Sequence, residues 1–331
     1  MRSAVRSSKT VWPVEDYWSI ERQLVQNVLD EGSLDEGYRR QLLNVLDQWV
    51  KPETPNADLE ALPILVCIAC GGNPRQAVPV CAAWRLLRLG AKLLDDVEDG
   101  DVREGLPEIV NFAVGLVFAG QLVLDKLLVE GVSPAHVQHL AQELSRAGLI
   151  ACGGQHADLG AAGLDPDRWL EIAAAKSGAP MGWAAWAGAL VAGAEENVLA
   201  GYRDYGSSLG VLLQISDDYS GVWYPDHVGD LVSNRPTLPV AYALSVASAS
   251  ERNQLQVLLD GAQRGDLEAD RQARKLLIDV GAQAFMLVVG QVWHDRAAQA
   301  LQQVGGDHPA KHQLLAALRQ VFPALQGHSE G

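Results

Sequence analysis

Apolar residues recur along the chain at intervals of three and four, the spacing of one helix face, and strict alternation of apolar and polar positions is nearly absent. The spacing predicts helices over Ile20–Leu29, Tyr38–Trp49, Val78–Glu98, Ile109–Val129, Ala135–Ile150, Arg168–Ala175, Leu199–Ser216 and Leu238–Ala247. Breaks fall at Gly71-Gly72-Asn73-Pro74 and at Asp165-Pro166, where glycine, proline and Asx residues favour turns. Several predicted helices are apolar on every face, which assigns them to the middle of a bundle inside a shell of amphipathic helices. No repeat, low-complexity tract or long linker divides the sequence, so residues 1–331 read as a single all-α domain. The uncharged stretch Ser177 to Ala194 reaches the ~18 residues of a membrane span. Pro180 interrupts it and Gly and Ala dilute it, so it reads as a buried core helix and the chain as not membrane-spanning.

Composition then limits the partners. A hydrophobic content of 48% with 20% charged residues supplies a core and argues against a disordered chain. The balance of 26 Lys+Arg against 41 Asp+Glu leaves a formal charge of −15, which speaks against nucleic acid or an anionic membrane as the default partner. Taken alone, it also speaks against an anionic small-molecule substrate. Four cysteines are too few for a disulfide framework. Cys67 and Cys70 have zinc-like spacing, but no second pair completes a tetrahedral site, so buried free thiols are expected. Met1 to Val14 is basic and polar with no apolar centre, so no secretory signal is expected and the cytoplasm is the expected location.

The densest chemistry is Asp95-Asp96-Val97-Glu98-Asp99, which closes an otherwise apolar helix. Asp95 and Asp99, four residues apart, project from one face, where like charges repel. Acids at a helix C-terminus also oppose the macrodipole. A pair of hard carboxylates at this step suits Mg²⁺, which takes oxygen ligands and leaves room for substrate phosphates. A second uncharged helix, from Tyr205, ends in Asp217-Asp218. Two such helix ends could hold a metal-bound polyphosphate between them, above an apolar cavity for a greasy tail.

From about Leu62 to Leu244 the chain resembles the trans-isoprenyl diphosphate synthases, the polyprenyl synthetases. Asp95-Asp96-Val97-Glu98-Asp99 is similar to their first aspartate-rich motif, and Gln214-Ile215-Ser216-Asp217-Asp218 to the start of the second. Gly154-Gln155 with Asp158-Leu159 resembles the Gly-Gln…Asp-Leu element, and Lys176-Ser177 the Lys-Thr pair. Asp230…Arg235-Pro236-Thr237-Leu238-Pro239 resembles the Asp…Gly-Lys-x-Thr-x-Pro segment, with Arg235 where lysine is usual. The resemblance implies an isoprenoid synthase-type helical bundle with a central apolar cavity. It implies an enzyme that ionises an allylic prenyl diphosphate with Mg²⁺, three ions in all, and acts as a homodimer. Asp95 and Asp99 would bridge two ions and Asp217 would hold a third, with Asp96 and Asp218 tuning the clusters. Arg103, Lys176 and Arg235 would neutralise the diphosphate; Lys176, Gln155 and Gln214 would serve the chemistry near the allylic carbon. Outside this context Lys176 reads as a helix-end lysine and both glutamines as core amides.

The departures from the family pattern are selective. Where the family places a Gly-Gly-Lys-Arg-x-Arg-Pro motif for isopentenyl diphosphate, Asn56–Pro63 has no basic residue and two acids. Arg103-Glu104-Gly105 stands where the family has Arg-Arg-Gly, and Arg88 holds the family's His position, the one basic feature that could rebuild the second diphosphate site. The third acid of the second motif is Gly221, and Gly90 stands where the family limits chain length with an aromatic, which favours a deep pocket. Three readings follow: a prenyltransferase using isopentenyl diphosphate or another acceptor, a terpene synthase-like enzyme using the allylic half alone, and a non-catalytic subunit of a heteromeric synthase.

Overall fold

The computed structural model describes residues 15–49, 57–102, 104–160, 165–224, 229–233 and 237–328, and no strand occurs among them. The helices are α1 (Glu15–Glu31), α2 (Glu36–Trp49), α3 (Ala57–Glu60), α4 (Leu62–Ala69), α5 (Pro74–Glu98), α6 (Leu106–Leu124) and α7 (Pro134–Leu159). They continue with α8 (Pro166–Ala173), α9 (Ala179–Val191), α10 (Glu196–Trp223), α11 (Leu238–Val246), α12 (Ala249–Gln263), α13 (Leu267–Asp279), α14 (Ala282–Gln303) and α15 (Pro309–Val321). The all-α expectation holds, and each predicted helix has its counterpart. The expected helix Ile109–Val129 stops being α-helical at Leu124 and runs on as a 3₁₀ turn over Asp125–Leu128. The expected Arg168–Ala175 stops at Ala173 and gives way to a π-helical turn over Ala174–Gly178.

Local chemistry sets the boundaries. Asn73 caps α5 by accepting the Arg75 N–H at 3.1 Å, with Pro74 pre-set for the first helical position. Asp165 caps α8 in the same way through the Arg168 N–H at 2.8 Å. Ser248 and Glu251 form a reciprocal capping box on α12.

The chain divides into two compact units. Unit 1 comprises Met1–Leu144, Ala184–Tyr202 and Val304–Ala317; unit 2 comprises Ser145–Trp183, Arg203–Gln303 and Leu318–Gly331. Unit 1 is centred on α5 and α6, whose Ala82, Leu86, Leu89, Leu116, Ala119 and Val123 pack with Val25, Val28 and Leu29 of α1 and Leu42 of α2. Glycine sets the approach of α5 to α6: a Cβ on Gly90 would meet the Ala113 carbonyl oxygen at 2.9 Å, and one on Gly120 the Ala83 carbonyl oxygen at 3.2 Å. The space expected to deepen a pocket beside Gly90 is therefore taken by the backbone of α6. In unit 2, Val222, Leu231 and Ala243 join Leu255, Leu258, Leu259, Ala273 and Leu277 in one cluster.

Every residue from Met181 to Val191 is buried, in agreement with a core helix there. The opposite case is α6, where Val110, Val114, Phe118 and Leu122 stand exposed at four-residue intervals, Phe118 at 66%. With the turn that follows, Leu106–Leu128 is long and apolar enough to cross a membrane by length and composition alone, with 28% of that window buried. Cys67 and Cys70 are free, and burial pushes their thiols up to about 12 and about 11.

Candidate active site

In unit 1 the acids sit at the end of α5. Asp99 is the residue capping the helix, its N–H donating to the Asp95 carbonyl at 2.8 Å, and its side chain is exposed. Asp95 and Asp96 are half-buried, and Asp96 is paired with Lys92 one turn earlier. Two hard carboxylates four residues apart, with at least one open to solvent, fit a Mg²⁺ ion that completes its shell with water and phosphate oxygens. Among the described residues no group of three His, Cys, Asp or Glu side chains forms a metal cage by itself.

Two turns before Asp95 on the same helix, Arg88 is paired with Glu60 of α3. Its neighbour Arg85 donates to Glu21 of α1 at 2.8 Å and lies 3.7 Å from Glu60. Arg85 and Glu21 are both buried, and the Trp18 ring lies over the Arg85 guanidinium at 4.0 Å. Burial raises the Glu21 carboxyl despite the pull of Arg85. Arg88, expected to hold a substrate diphosphate, thus has a carboxylate of its own chain as partner. Arg103 lies outside the described residues.

Unit 2 assembles the other expected residues around the π turn Ala174–Gly178, which carries Lys176 and Ser177. Glycines let helices close on this turn from two sides. A Cβ on Gly154 of α7 would meet the Lys176 backbone nitrogen at 2.7 Å, and one on Gly210 of α10 would overlap the Ser177 carbonyl and come within 2.9 Å of the Gly178 Cα. Lys176 Nζ reaches Asp158 at 3.1 Å, so two elements of the motif pattern meet in space. Ser177 Oγ donates to Gln214 Oε1 at 3.1 Å, and the Gln214 side chain in turn hydrogen-bonds Asp218. Gln155 is half-buried, next in sequence to Gly154.

The paired aspartates of α10 have different surroundings. Asp217 is exposed, whereas Asp218 is buried and accepts the Leu238 N–H at 2.7 Å, anchoring the first turn of α11. Burial pushes the Asp218 carboxyl well above the usual range; the Leu238 N–H and Gln214 pull it back, and Asp230 and Asp217 push it further up. Gly221, where a third acid is expected, has the Asp230 carboxylate packed against its Cα, in the space a side chain would fill. The Asp230 carboxylate, from the following segment, thereby occupies the space beside Gly221. Arg235 lies outside the described residues.

The helix expected to end before Asp217 runs on to Trp223, so Asp217 and Asp218 stand within α10. The all-α architecture is also seen in solved prenyl synthases. Geranylgeranyl pyrophosphate synthetase from the archaeon Geoglobus acetivorans superposes with a TM-score of 0.78 at 20% identity, over 93% of this chain and 99% of that one. The sequence profile of the polyprenyl synthetase family matches residues 60–277, and the chain belongs to that family. Geranylgeranyl diphosphate synthase of Mycobacterium tuberculosis is 32% identical over 57% of this chain and 58% of that enzyme, so the match spans less than two thirds of the relative. A tryptophan prenyltransferase, ComQ of Bacillus subtilis subsp. natto, is 25% identical over 62% of this chain and 63% of its own length.

Proposed function

We propose that the chain is a Mg²⁺-dependent prenyltransferase that ionises an allylic prenyl diphosphate and passes the prenyl group to isopentenyl diphosphate or another acceptor. Family membership supports the reaction class. The observation that carries the assignment is the Asp95–Asp99 pair, two acids one helical step apart at the C-terminal end of α5, where the macrodipole disfavours negative charge. Asp95 and Asp99 of unit 1 would be Mg²⁺ ligands, as would Asp217 of unit 2, with three ions expected in all. Bound Mg²⁺ supplies Lewis-acid stabilisation of the departing pyrophosphate. Lys176 brings a positive charge to the same leaving group, with Asp158 steering its ammonium. Gln214 positions Ser177 and Asp218, and Asp96 and Asp218 would tune the metal clusters. Arg103 and Arg235 add cations for the diphosphate, and Gln155 contributes its amide near the allylic carbon. A relative named as a tryptophan prenyltransferase supports keeping acceptors other than isopentenyl diphosphate in view.

The test is pyrophosphate release from geranyl, farnesyl and geranylgeranyl diphosphate with Mg²⁺, with and without isopentenyl diphosphate, and identification of all products. Release that requires Mg²⁺ is expected; no release from any of the three, under either condition, would overturn the assignment.

We place the enzyme in the cytoplasm as a homodimer, joined through the exposed apolar stripe of α6. Four large apolar side chains on successive turns, with Glu108 the one charged residue of that helix, suit a second copy of the same surface. Phe118→Glu is expected to shift the protein from dimer to monomer in sedimentation velocity. A wild type that sediments as a monomer at micromolar concentration would remove the dimer reading.

A further inference from the structure

The helix that carries Asp95 and Asp99 also carries four basic residues. These are Arg75, Arg85, Arg88 and Lys92. Arg75 stands twenty residues before Asp95, about 30 Å along the helix axis at 1.5 Å per residue. Each of the other three is engaged by a carboxylate of this chain. Lys92 is paired with Asp96, Arg88 with Glu60, and Arg85 with Glu21 at 2.8 Å and Glu60 at 3.7 Å.

This pairing is built from separate elements rather than from neighbours on one surface. Glu21 arrives from α1, 64 residues before Arg85, and Glu60 from α3, 28 residues before Arg88. Arg85 and Glu21 are 5% and 6% exposed, and the Trp18 ring closes over the guanidinium. Glu60 lies between the two arginines, so one carboxylate serves both. A diphosphate arriving here would have to displace a charge-assisted hydrogen bond already formed, and the displaced carboxylate would remain beside it as a like charge. The arginine side chains are thus held for the fold rather than left for a ligand.

We infer that Glu60, backed by Glu21, closes this part of the site to anions, and that the acceptor of the prenyl group is a nucleophile without a diphosphate. The inference rests on the prenyltransferase reading and narrows its second substrate. In the step it implies, the allylic C–O bond breaks and its electron pair leaves on pyrophosphate. An electron pair of the acceptor, from a π bond or a lone pair, then forms the new bond to the allylic carbon. The acceptor loses a proton to the departing pyrophosphate or to water, which balances the transfer. Glu60 acts here as a specificity-determining residue and takes no part in bond making.

Calorimetric titration of the full chain with isopentenyl diphosphate in EDTA tests this without relying on turnover or on metal-bound phosphate. Wild type is expected to show no saturable binding. Arg88 keeps 32% of its side chain exposed, so removing the charge of Glu60 leaves it reachable. Glu60→Gln is therefore expected to bind at least about tenfold more tightly than wild type, as charge complementarity is restored. A folded Glu60→Gln that gains no binding would overturn the inference. So would saturable wild-type binding that Arg88→Gln removes, or wild-type elongation of an allylic diphosphate by isopentenyl diphosphate. If Glu60→Gln fails to fold by circular dichroism, the wild-type titration decides alone. Absence of pyrophosphate release from every allylic diphosphate would instead count against the reaction class, which the titration does not measure.

Discussion

Asp95→Ala is expected to lower kcat/KM for pyrophosphate release from an allylic diphosphate by about a thousandfold or more, the scale of losing a principal electrostatic contact to a leaving group. Asp95 lies in the last turn of α5, one helical step before Asp99. Circular dichroism of the variant should show the wild-type helical fold, so that the loss is read at the chemical step. Asp96→Ala is the comparison: its half-buried carboxylate is paired with Lys92 one turn earlier, and a smaller loss than for Asp95→Ala is expected. Full activity in Asp95→Ala, measured at saturating Mg²⁺, would sink the metal assignment.

The net charge of −15 did not exclude an anionic substrate, because carboxylates at a helix end recruit a divalent cation and invert the local field. What the sequence left hidden is how its bases are engaged. Arg88 stands in the linear pattern where a cation could rebuild a diphosphate site, but its partner Glu60 is 28 residues away and is brought there by the packing of α3 beside α5. Pairings of that range follow from tertiary structure, which spacing along a helix does not encode. Gly90 shows the same limit. A small residue reads as open space, whereas here it is small because α6 passes against it. Asp230 is a third case, since a motif read in one register cannot show an acid returning from the next segment to fill the place beside Gly221.

The helices themselves were legible because the apolar period of α5, α7 and α10 is sustained over many turns and broken at Gly, Pro and Asx residues. The π turn at Ala174–Gly178 was not. Helical propensity and apolar spacing carry no mark of a single widened turn, which neighbouring helices must hold open. The signal available was indirect: Gly154 and Gly210, each in a long helix, are the two small residues that close upon Lys176 and Ser177.

That dependence makes Gly210→Ala the most informative packing change. Its Cβ would fall on the Ser177 carbonyl and within 2.9 Å of the Gly178 Cα, both backbone, so no side chain can swing away to accommodate it. Overpacking of this kind costs about 1–3 kcal/mol, more than the helical advantage of alanine over glycine can return. The segment that must yield carries Lys176 and Ser177, and Ser177 in turn holds Gln214, which holds Asp218. A displacement near 1 Å at positioned groups can cost on the order of a hundredfold in rate, so kcat should fall further than the lost stability explains. Gly148→Ala in α7 supplies the contrast, because nothing lies within 4 Å of its Cβ and a gain of roughly 0.4–1 kcal/mol is expected. Urea unfolding and kcat measured on both variants separate the two effects. If Gly210→Ala retains wild-type stability and wild-type kcat, the π turn is not held by α10, and the ordering of Lys176 and Ser177 must have another source.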